Sequence, residues 1–250
     1  MGVSTLAVIV AAIAVGAFIK GATGVGLPQI AIPVMAVFLG VEHAVVVMAI
    51  PGVIANAWLV WTHRREYGKT RDLPAMLVTG TIGAVVGTLL LHSLDGRVLA
   101  AALAVMIIVY IVLALVHPGF TLPARVTRVA APGVGLAAGG LQGATGISGP
   151  LVSTWVHGYG LPPRAYVFAL SAIFGVLSAV QVVALTGVGL YTQARLVESL
   201  LAIIPIAIGL PLGTAAAKRL SRQTFQRVVL VLLAASAIKL LNDAFSGGGG

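Results

Sequence analysis

The chain has 250 residues, of which 59% are hydrophobic and 8% charged, and its mean hydropathy is +1.09. Soluble domains carry about 25% charged residues, so this composition excludes a soluble globular protein and predicts an integral membrane protein. The net charge of +9 does not predict nucleic-acid binding, because the Lys and Arg residues lie in short loops rather than in a stripe interleaved with aromatics. The absence of cysteine excludes disulfides and thiolate metal sites.

The apolar segments predict an all-α polytopic membrane protein with about eight to ten membrane segments. The first stretch has no basic region before it, so we expect a first helix rather than a signal peptide. The predicted segments are residues 3–20, 27–41, 44–62, 74–92, 97–116, 127–142, 150–159, 164–187, 192–217 and 223–242. We divide the chain into a first transmembrane repeat, 1–120, a second, 121–245, and a flexible tail or linker, 246–250.

A glycine motif occurs twice, each time between the first two segments of a repeat. The copies are residues 21–28, GATGVGLP, and residues 143–150, GATGISGP, an offset of 122 residues from Gly21 to Gly143. A glycine run ending in proline is typical of a helix stop followed by a helix start. Broken helices in corresponding positions of two membrane-embedded halves indicate a transporter's substrate site.

A second pattern recurs with a nearly equal offset. Gly83, Gly87, Thr88 and Leu94 match Gly209, Gly213, Thr214 and Leu220, 126 residues further on from Gly83 to Gly209. Each copy contains a GxxxG pair, and such pairs commonly let membrane helices pack closely. We therefore predict helix packing rather than ligand binding for these glycines.

The loop charges predict that the two repeats are inverted, because Lys and Arg accumulate on the cytoplasmic side. In the first half the third connection between segments is basic, with Arg64, Arg65, Lys69 and Arg71. In the second half the fourth connection is basic instead, with Lys218, Arg219, Arg222 and Arg227. Inversion requires an odd number of crossings per repeat, either three with the first two segments re-entrant or five. Arg125 and Arg128 then lie on the cytoplasmic side of a bacterial inner membrane, and both termini are predicted in the periplasm.

The glycine motifs predict an anion site, since a helix N-terminus presents free backbone N–H groups and a positive dipole end. Glycine lets the backbone approach a ligand, and hydroxyls and carboxamides add donors. The predicted substrate-binding residues are Gly21, Thr23, Gly24, Val25, Gly26, Gln29, Gly143, Thr145, Gly146, Ile147, Ser148 and Gly149. Secondary candidates are Lys20, Asn56, Gln142, Trp155 and Gln181.

The scarcity of carboxylates also favours an anionic substrate. The six are Glu42, Glu66, Asp72, Asp95, Glu198 and Asp243, and only Glu198 is expected to enter a membrane segment. A cation transporter would ordinarily need intramembrane carboxylates. The five histidines lack the spacing of a metal site, so we predict no metal and no cofactor. No nucleophile with a base is evident, which argues against an enzyme.

The glycine motifs and the GxxxGT helices resemble those of the sulfite exporter TauE/SafE family, the TSUP transporters, over essentially the whole chain. The resemblance implies a polytopic bacterial inner-membrane protein of two repeats. It also implies a sulfur oxyanion substrate, such as sulfite, sulfoacetate, thiosulfate or an organosulfonate like 4-toluenesulfonate. The family's pattern falls on Gly21 to Pro28 and Gly143 to Pro150, with Ser148 where the first copy has Gly26.

We therefore expect a secondary transporter in contact with membrane lipid, in which the anion binds between the two half-helix ends and the repeats rock to give alternating access. Uptake is favoured over export, and it would need a substrate gradient or coupled H⁺ or Na⁺. Proton symport would have to use Glu198, a histidine or the substrate's own proton. A small-anion channel, export of sulfite or sulfoacetate, and a homodimer remain open as alternatives.

Overall fold

The computed structural model describes residues 3–23, 26–116, 121–216 and 222–246, and every regular element in these ranges is helical. The helices are α1 (Val3–Thr23), α2 (Leu27–Leu39), α3 (Val41–His63), the 3₁₀ helix Arg64–Lys69, α4 (Leu73–Ser93), α5 (Gly96–Val116), α6 (Ala124–Thr145), α7 (Gly149–His157), α8 (Pro163–Gly187), α9 (Gln193–Leu201), α10 (Ile203–Ala216) and α11 (Arg222–Ser246). The all-helical fold predicted from composition is confirmed. The predicted residues Gly24, Val25, Lys218, Arg219 and Leu220, and the tail beyond Ser246, lie outside the described residues.

One predicted segment, 192–217, is two helices in the structure. α9 ends at Leu201, Ala202 forms a turn, and α10 begins at Ile203. Pro205 explains the break, because it has no N–H to donate to the carbonyl of Leu201 and its ring clashes with that carbonyl. Hydropathy alone did not separate these helices, because apolar residues continue from Leu200 through the turn into α10.

Five helical stretches in the described residues are long and apolar enough to cross a membrane, judged by length and composition. They are Ser4–Ala22, Val41–Lys69, Leu73–Ser93, Pro163–Gly187 and Gln193–Gly213. By contrast, α2 has 13 residues and α7 has 9, so they are about 20 Å and 14 Å long. Neither can cross a hydrocarbon layer of about 30 Å unaided. α1, the first segment of the first repeat, is long enough to span, so the choice between a re-entrant pair and five spanning segments remains a prediction.

The helices form two compact units, and each unit combines segments of both predicted repeats. The first unit contains Met1–Pro51, Ser93–Val116 and Tyr191–Gly250, and the second contains Gly52–His92 and His117–Leu190. The boundary inside α3 falls after Pro51. The division of the sequence into repeats near residue 120, and their inversion, remain predictions.

In the first unit, α1 packs against α10 and α2, while α11 packs against α5 and α2. The GxxxG pair of α10 lies at the contact with α1. A Cβ atom at Gly209 would stand 3.0 Å from Cβ of Ala17, and one at Gly213 would collide with the carbonyl oxygen of Phe18. Glycine at these two positions therefore lets the backbones of α1 and α10 touch.

In the second unit, the corresponding GxxxG pair of α4 packs against α6. A Cβ atom at Gly83 would collide with the carbonyl oxygen of Leu136, and one at Gly87 with that of Gly140. The contact is mutual, since α6 also has glycines facing the backbone of α4, namely Gly135, Gly139 and Gly143. The predicted packing role of both GxxxG pairs is confirmed, and in each unit the helix that enters a glycine motif is held by the GxxxG helix of the other predicted repeat.

Candidate functional site

At the first glycine motif, α1 ends at Thr23 and α2 begins at Leu27. Gly26, which precedes α2, has φ +118°, a region that L-residues rarely adopt. A Cβ atom there would also lie 3.2 Å from Cγ2 of Ile19. The turn into α2 therefore requires glycine at position 26. Gly24, Val25 and the side chain of Thr23, three of the predicted site positions, lie outside the described residues.

Two polar side chains flank this first motif and are buried. Lys20 occupies the last turn of α1 and is 4% exposed, and Gln29 occupies the first turn of α2 and is also 4% exposed. The Gln29 Oε1 atom is buried without a hydrogen-bond partner in the described part of the chain, 3.8 Å from where a Cβ atom of Gly26 would lie. A buried ammonium and a helix N-terminus both favour a nearby anion.

At the second motif, α6 continues through Gly143, Ala144 and Thr145 and ends at Gly146. Gly146 has φ +70° and donates its N–H to the carbonyl of Gln142 at 2.8 Å, a left-handed helix cap. α7 then begins at Gly149, with Ser148 as its N-cap residue and Pro150 in its first turn. The helix stop therefore falls at the second glycine of GATG, and the first three motif residues complete the preceding helix.

The polar side chains of the second motif form one buried network. Ser148 Oγ donates to Gln142 Oε1 at 2.9 Å, and Gln142 Nε2 donates to Gln181 Oε1 at 3.2 Å. Gln181 Nε2, on α8, donates to the carbonyls of Gln142 and Gly143 at 2.8 and 3.1 Å. Thr145 Oγ1 donates to the carbonyl of Leu141 at 2.8 Å and accepts the N–H of Ile147 at 3.2 Å. These bonds fix the break between α6 and α7 in a defined geometry.

The two motif copies are chemically unequal. The residue before the motif is Lys20 in the first copy and Gln142 in the second, so a cation stands where the other copy has an amide. The N-cap residues differ because Ser148 has φ −117°, which any residue can adopt, whereas Gly26 has a positive φ. The first copy thus has the buried charge, and the second has the network of neutral donors.

The other predicted residues lie in different settings. Gly21 is part of α1, and Gly143 packs against Ala84 and Thr88 of α4. Asn56 is buried in α3 and donates to the carbonyl of Gly52 at 2.9 Å. Trp155 Nε1 donates to the hydroxyl of Tyr159 at 2.8 Å, beyond the second motif. The structure thus brings Gln142, Thr145, Ile147, Ser148 and Gln181 together, and places no described hydrogen bond between Trp155 and that network.

Sequence reasoning missed two features of the described residues. The first is an open cavity of about 390 Å³ lined by Thr62, His63, Arg64, Arg65, Glu66 and Arg164, whose three guanidinium groups attract anions. Arg164 lies about 100 residues along the chain from the other five, and nothing in the local pattern links it to them. The second is a hydrogen bond of 2.6 Å between His43 Nε2 and Glu198 Oε2, which are 155 residues apart.

The long apolar helices define a helical membrane protein with several candidate membrane spans. The family model of the sulfite exporter TauE/SafE family matches residues 8–240, so the chain belongs to that family of membrane transporters. The suspected family is thereby confirmed. Searches of curated proteins and of solved structures found no match.

Proposed function

We propose that this transporter moves a sulfur-containing oxyanion, an organosulfonate or sulfite, across the bacterial inner membrane by alternating access. The observation that carries the proposal is Lys20, a buried cation in a membrane helix at the glycine motif that leads into the N-terminus of α2. A charge inside the hydrocarbon region is costly, so ionisable residues there commonly serve a substrate or ion pathway. The family's name, which is that of a sulfite exporter, supports the sulfur oxyanion as substrate class.

The buried ammonium of Lys20 beside the N-terminus of α2, and the exposure of most carboxylates, support an oxyanion over a cation. Five of the six carboxylates are at least partly exposed, and all six lie in described residues. A tetrahedral sulfonate or pyramidal sulfite oxygen accepts hydrogen bonds from backbone N–H groups and an ammonium. Trp155 and Tyr159 add an aromatic surface that suits the organic part of a sulfonate.

We propose uptake as the direction, with both termini in the periplasm. Moving one negative charge into a cell with a negative interior costs about 2.3 kcal/mol per 100 mV, so uptake needs an accompanying ion or a substrate gradient. Export is the second candidate, because the family is named for export and because export of an anion is favoured by the membrane potential. Labelled substrate that accumulates in right-side-out membrane vesicles indicates uptake, whereas accumulation in inside-out vesicles indicates export.

The substrate class is tested with purified protein and a panel of sulfite, sulfate, taurine, 4-toluenesulfonate and tetramethylammonium in thermal unfolding. A ligand at 100 times its Kd stabilises the folded protein by about 2.7 kcal/mol, which is readily seen as a rise in Tm. We expect a sulfur oxyanion to raise the Tm, and Lys20→Gln, Thr23→Val and Thr145→Val to reduce that rise. Lys69→Gln is the matched control, since Lys69 is exposed and pairs with Glu66 in the 3₁₀ helix.

Two outcomes would contradict the proposal. Stabilisation by the tetramethylammonium cation alone would overturn the anion site, and an undiminished rise in Tm in Lys20→Gln would remove its main support.

A channel is distinguished from a carrier in planar bilayers, where a channel would pass single-channel current that a carrier does not produce. Counterflow of labelled substrate in proteoliposomes is the positive signature of a carrier.

A further inference from the structure

Among the described ion pairs of the first unit, the pair formed by His43 and Glu198 contains the most deeply buried carboxylate. His43 is the third residue of α3, and its Nε2 atom lies 2.6 Å from Oε2 of Glu198 in α9. The side chain of His43 is 22% exposed and that of Glu198 is 3% exposed. Glu198 is the only one of the six carboxylates that is buried, and all six belong to the described residues.

The charges around this pair are already matched. Arg195, one turn earlier on α9, forms an ion pair of 2.9 Å with Glu42 of α3. Tyr191 donates its hydroxyl to the carbonyl of Val46 at 3.0 Å, and α10, which follows α9, has no titratable side chain. Among the described residues, the contact that Glu198 makes through its carboxylate is therefore the hydrogen bond to His43.

The protonation state of the pair determines its net charge. With one proton between Nε2 and Oε2, the pair is neutral overall and its hydrogen bond is charge-assisted. Without that proton the pair carries one net negative charge, and the Glu198 carboxylate is 3% exposed. A short hydrogen bond that joins two titratable groups at a buried carboxylate is a place where a transported proton can reside.

We infer that His43 and Glu198 form the proton-binding site that couples anion movement to the proton gradient. The inference rests on the proposed function. A proton from outside forms a bond to Nε2 or Oε2, and that bond breaks on the inside, so one H⁺ accompanies one monovalent anion and no net charge moves. The pair is mechanically connected to the first motif, because α9 leads directly into α10, whose glycines pack against α1.

The test uses purified full-length protein in proteoliposomes with labelled 4-toluenesulfonate or sulfite and an internal pH dye. Two readouts are compared: counterflow without a gradient, and accumulation driven by an acidic exterior. We expect the wild type to show both, with proton entry. In Glu198→Gln and His43→Gln, the rate of counterflow should stay within about threefold of the wild-type rate. Accumulation driven by the pH gradient, and the dye signal for proton entry, should fall at least tenfold. Glu66→Gln and His92→Gln are matched controls outside the pair and should remain coupled.

The outcomes separate the inference from the function on which it rests. A Glu198→Gln or His43→Gln protein that still accumulates anion with proton entry overturns the proton site alone. Wild-type accumulation driven by a Na⁺ gradient and not by a pH gradient also overturns it. A wild type that gives no counterflow with any sulfur oxyanion overturns the proposed function and the coupling role together. The two variants act at opposite ends of the hydrogen bond, so either one that folds decides the question.

Discussion

Gln181 donates hydrogen bonds to the backbone carbonyls of both Gln142 and Gly143, at 2.8 and 3.1 Å, and so caps the end of α6 from α8. The last carbonyls of a helix have no partner within it, and an unsatisfied carbonyl in a buried position is costly. Gln181 is also buried and accepts a bond from the Gln142 amide. These bonds therefore fix the break between α6 and α7 at the second glycine motif in one conformation.

Replacing Gln181 with leucine should destabilise the protein. The change keeps the size of the side chain but removes the bonds that Gln181 makes to the Gly143 carbonyl and to the Gln142 side-chain amide, at a cost of about 1–3 kcal/mol. The Gln142 carbonyl keeps its bond from the Gly146 N–H. We expect a lower Tm in detergent and weaker protection of the second motif against proteolysis. Gln193→Leu is the control, because Gln193 is an exposed glutamine at the start of α9. An equal Tm for both variants would show that the cap adds nothing to stability.

Replacing Gly87 with alanine should disrupt the contact between α4 and α6. The new Cβ atom would collide with the carbonyl of Gly140 and lie 2.9 Å from the backbone nitrogen of Ala144, so the two helices must separate. Overpacking of this kind costs about 1–3 kcal/mol or more. The yield of monodisperse protein and its Tm measure the effect.

Gly133→Ala is the matched control for Gly87→Ala. Gly133 also lies within a helix, α6, but a Cβ atom there would meet nothing within 4 Å. Alanine is favoured over glycine in a helix by about 1 kcal/mol, so Gly133→Ala should leave the Tm unchanged or raise it. Loss of stability in both variants would mean that the close contact at Gly87 is not the cause of the effect.

Exchanging the N-cap residues of the two motifs should have unequal effects. Gly26→Ser forces a side chain into φ +118° and towards Ile19, which costs about 1–3 kcal/mol. Ser148→Gly meets no such strain, since φ is −117°, and loses only the 2.9 Å bond to Gln142, worth about 1 kcal/mol. Thermal unfolding of the two variants should rank Gly26→Ser as the less stable. The reverse order would contradict the difference between the two helix starts.

The sequence predicts local events in this chain better than long-range pairings. The stop after α6 was predictable because glycine at position 146 is favoured in a left-handed cap, and the start of α7 because Pro150 suits a first turn. The packing of Gly213 on Phe18 could not be predicted, since a GxxxG pair marks a close contact without naming the partner helix. The same limit hid the bond from His43 to Glu198, whose residues have no shared motif.

The predicted inversion of the repeats can be tested by cysteine labelling, because the chain has no cysteine of its own. Gly68 and Gly187 lie in or beside the third connections of the two predicted repeats, both are exposed, and a side chain at either would meet nothing within 4 Å. Inverted repeats place these equivalent connections on opposite faces of the membrane. The connection that contains Gly68 is rich in Arg and Lys, so it is expected in the cytoplasm. In intact cells, a membrane-impermeant thiol reagent should therefore label Gly187→Cys and not Gly68→Cys. Both variants should label after the membrane is permeabilised, which controls for accessibility. Equal labelling of the two cysteines in intact cells would mean that the repeats are parallel and that the loop charges do not set the topology.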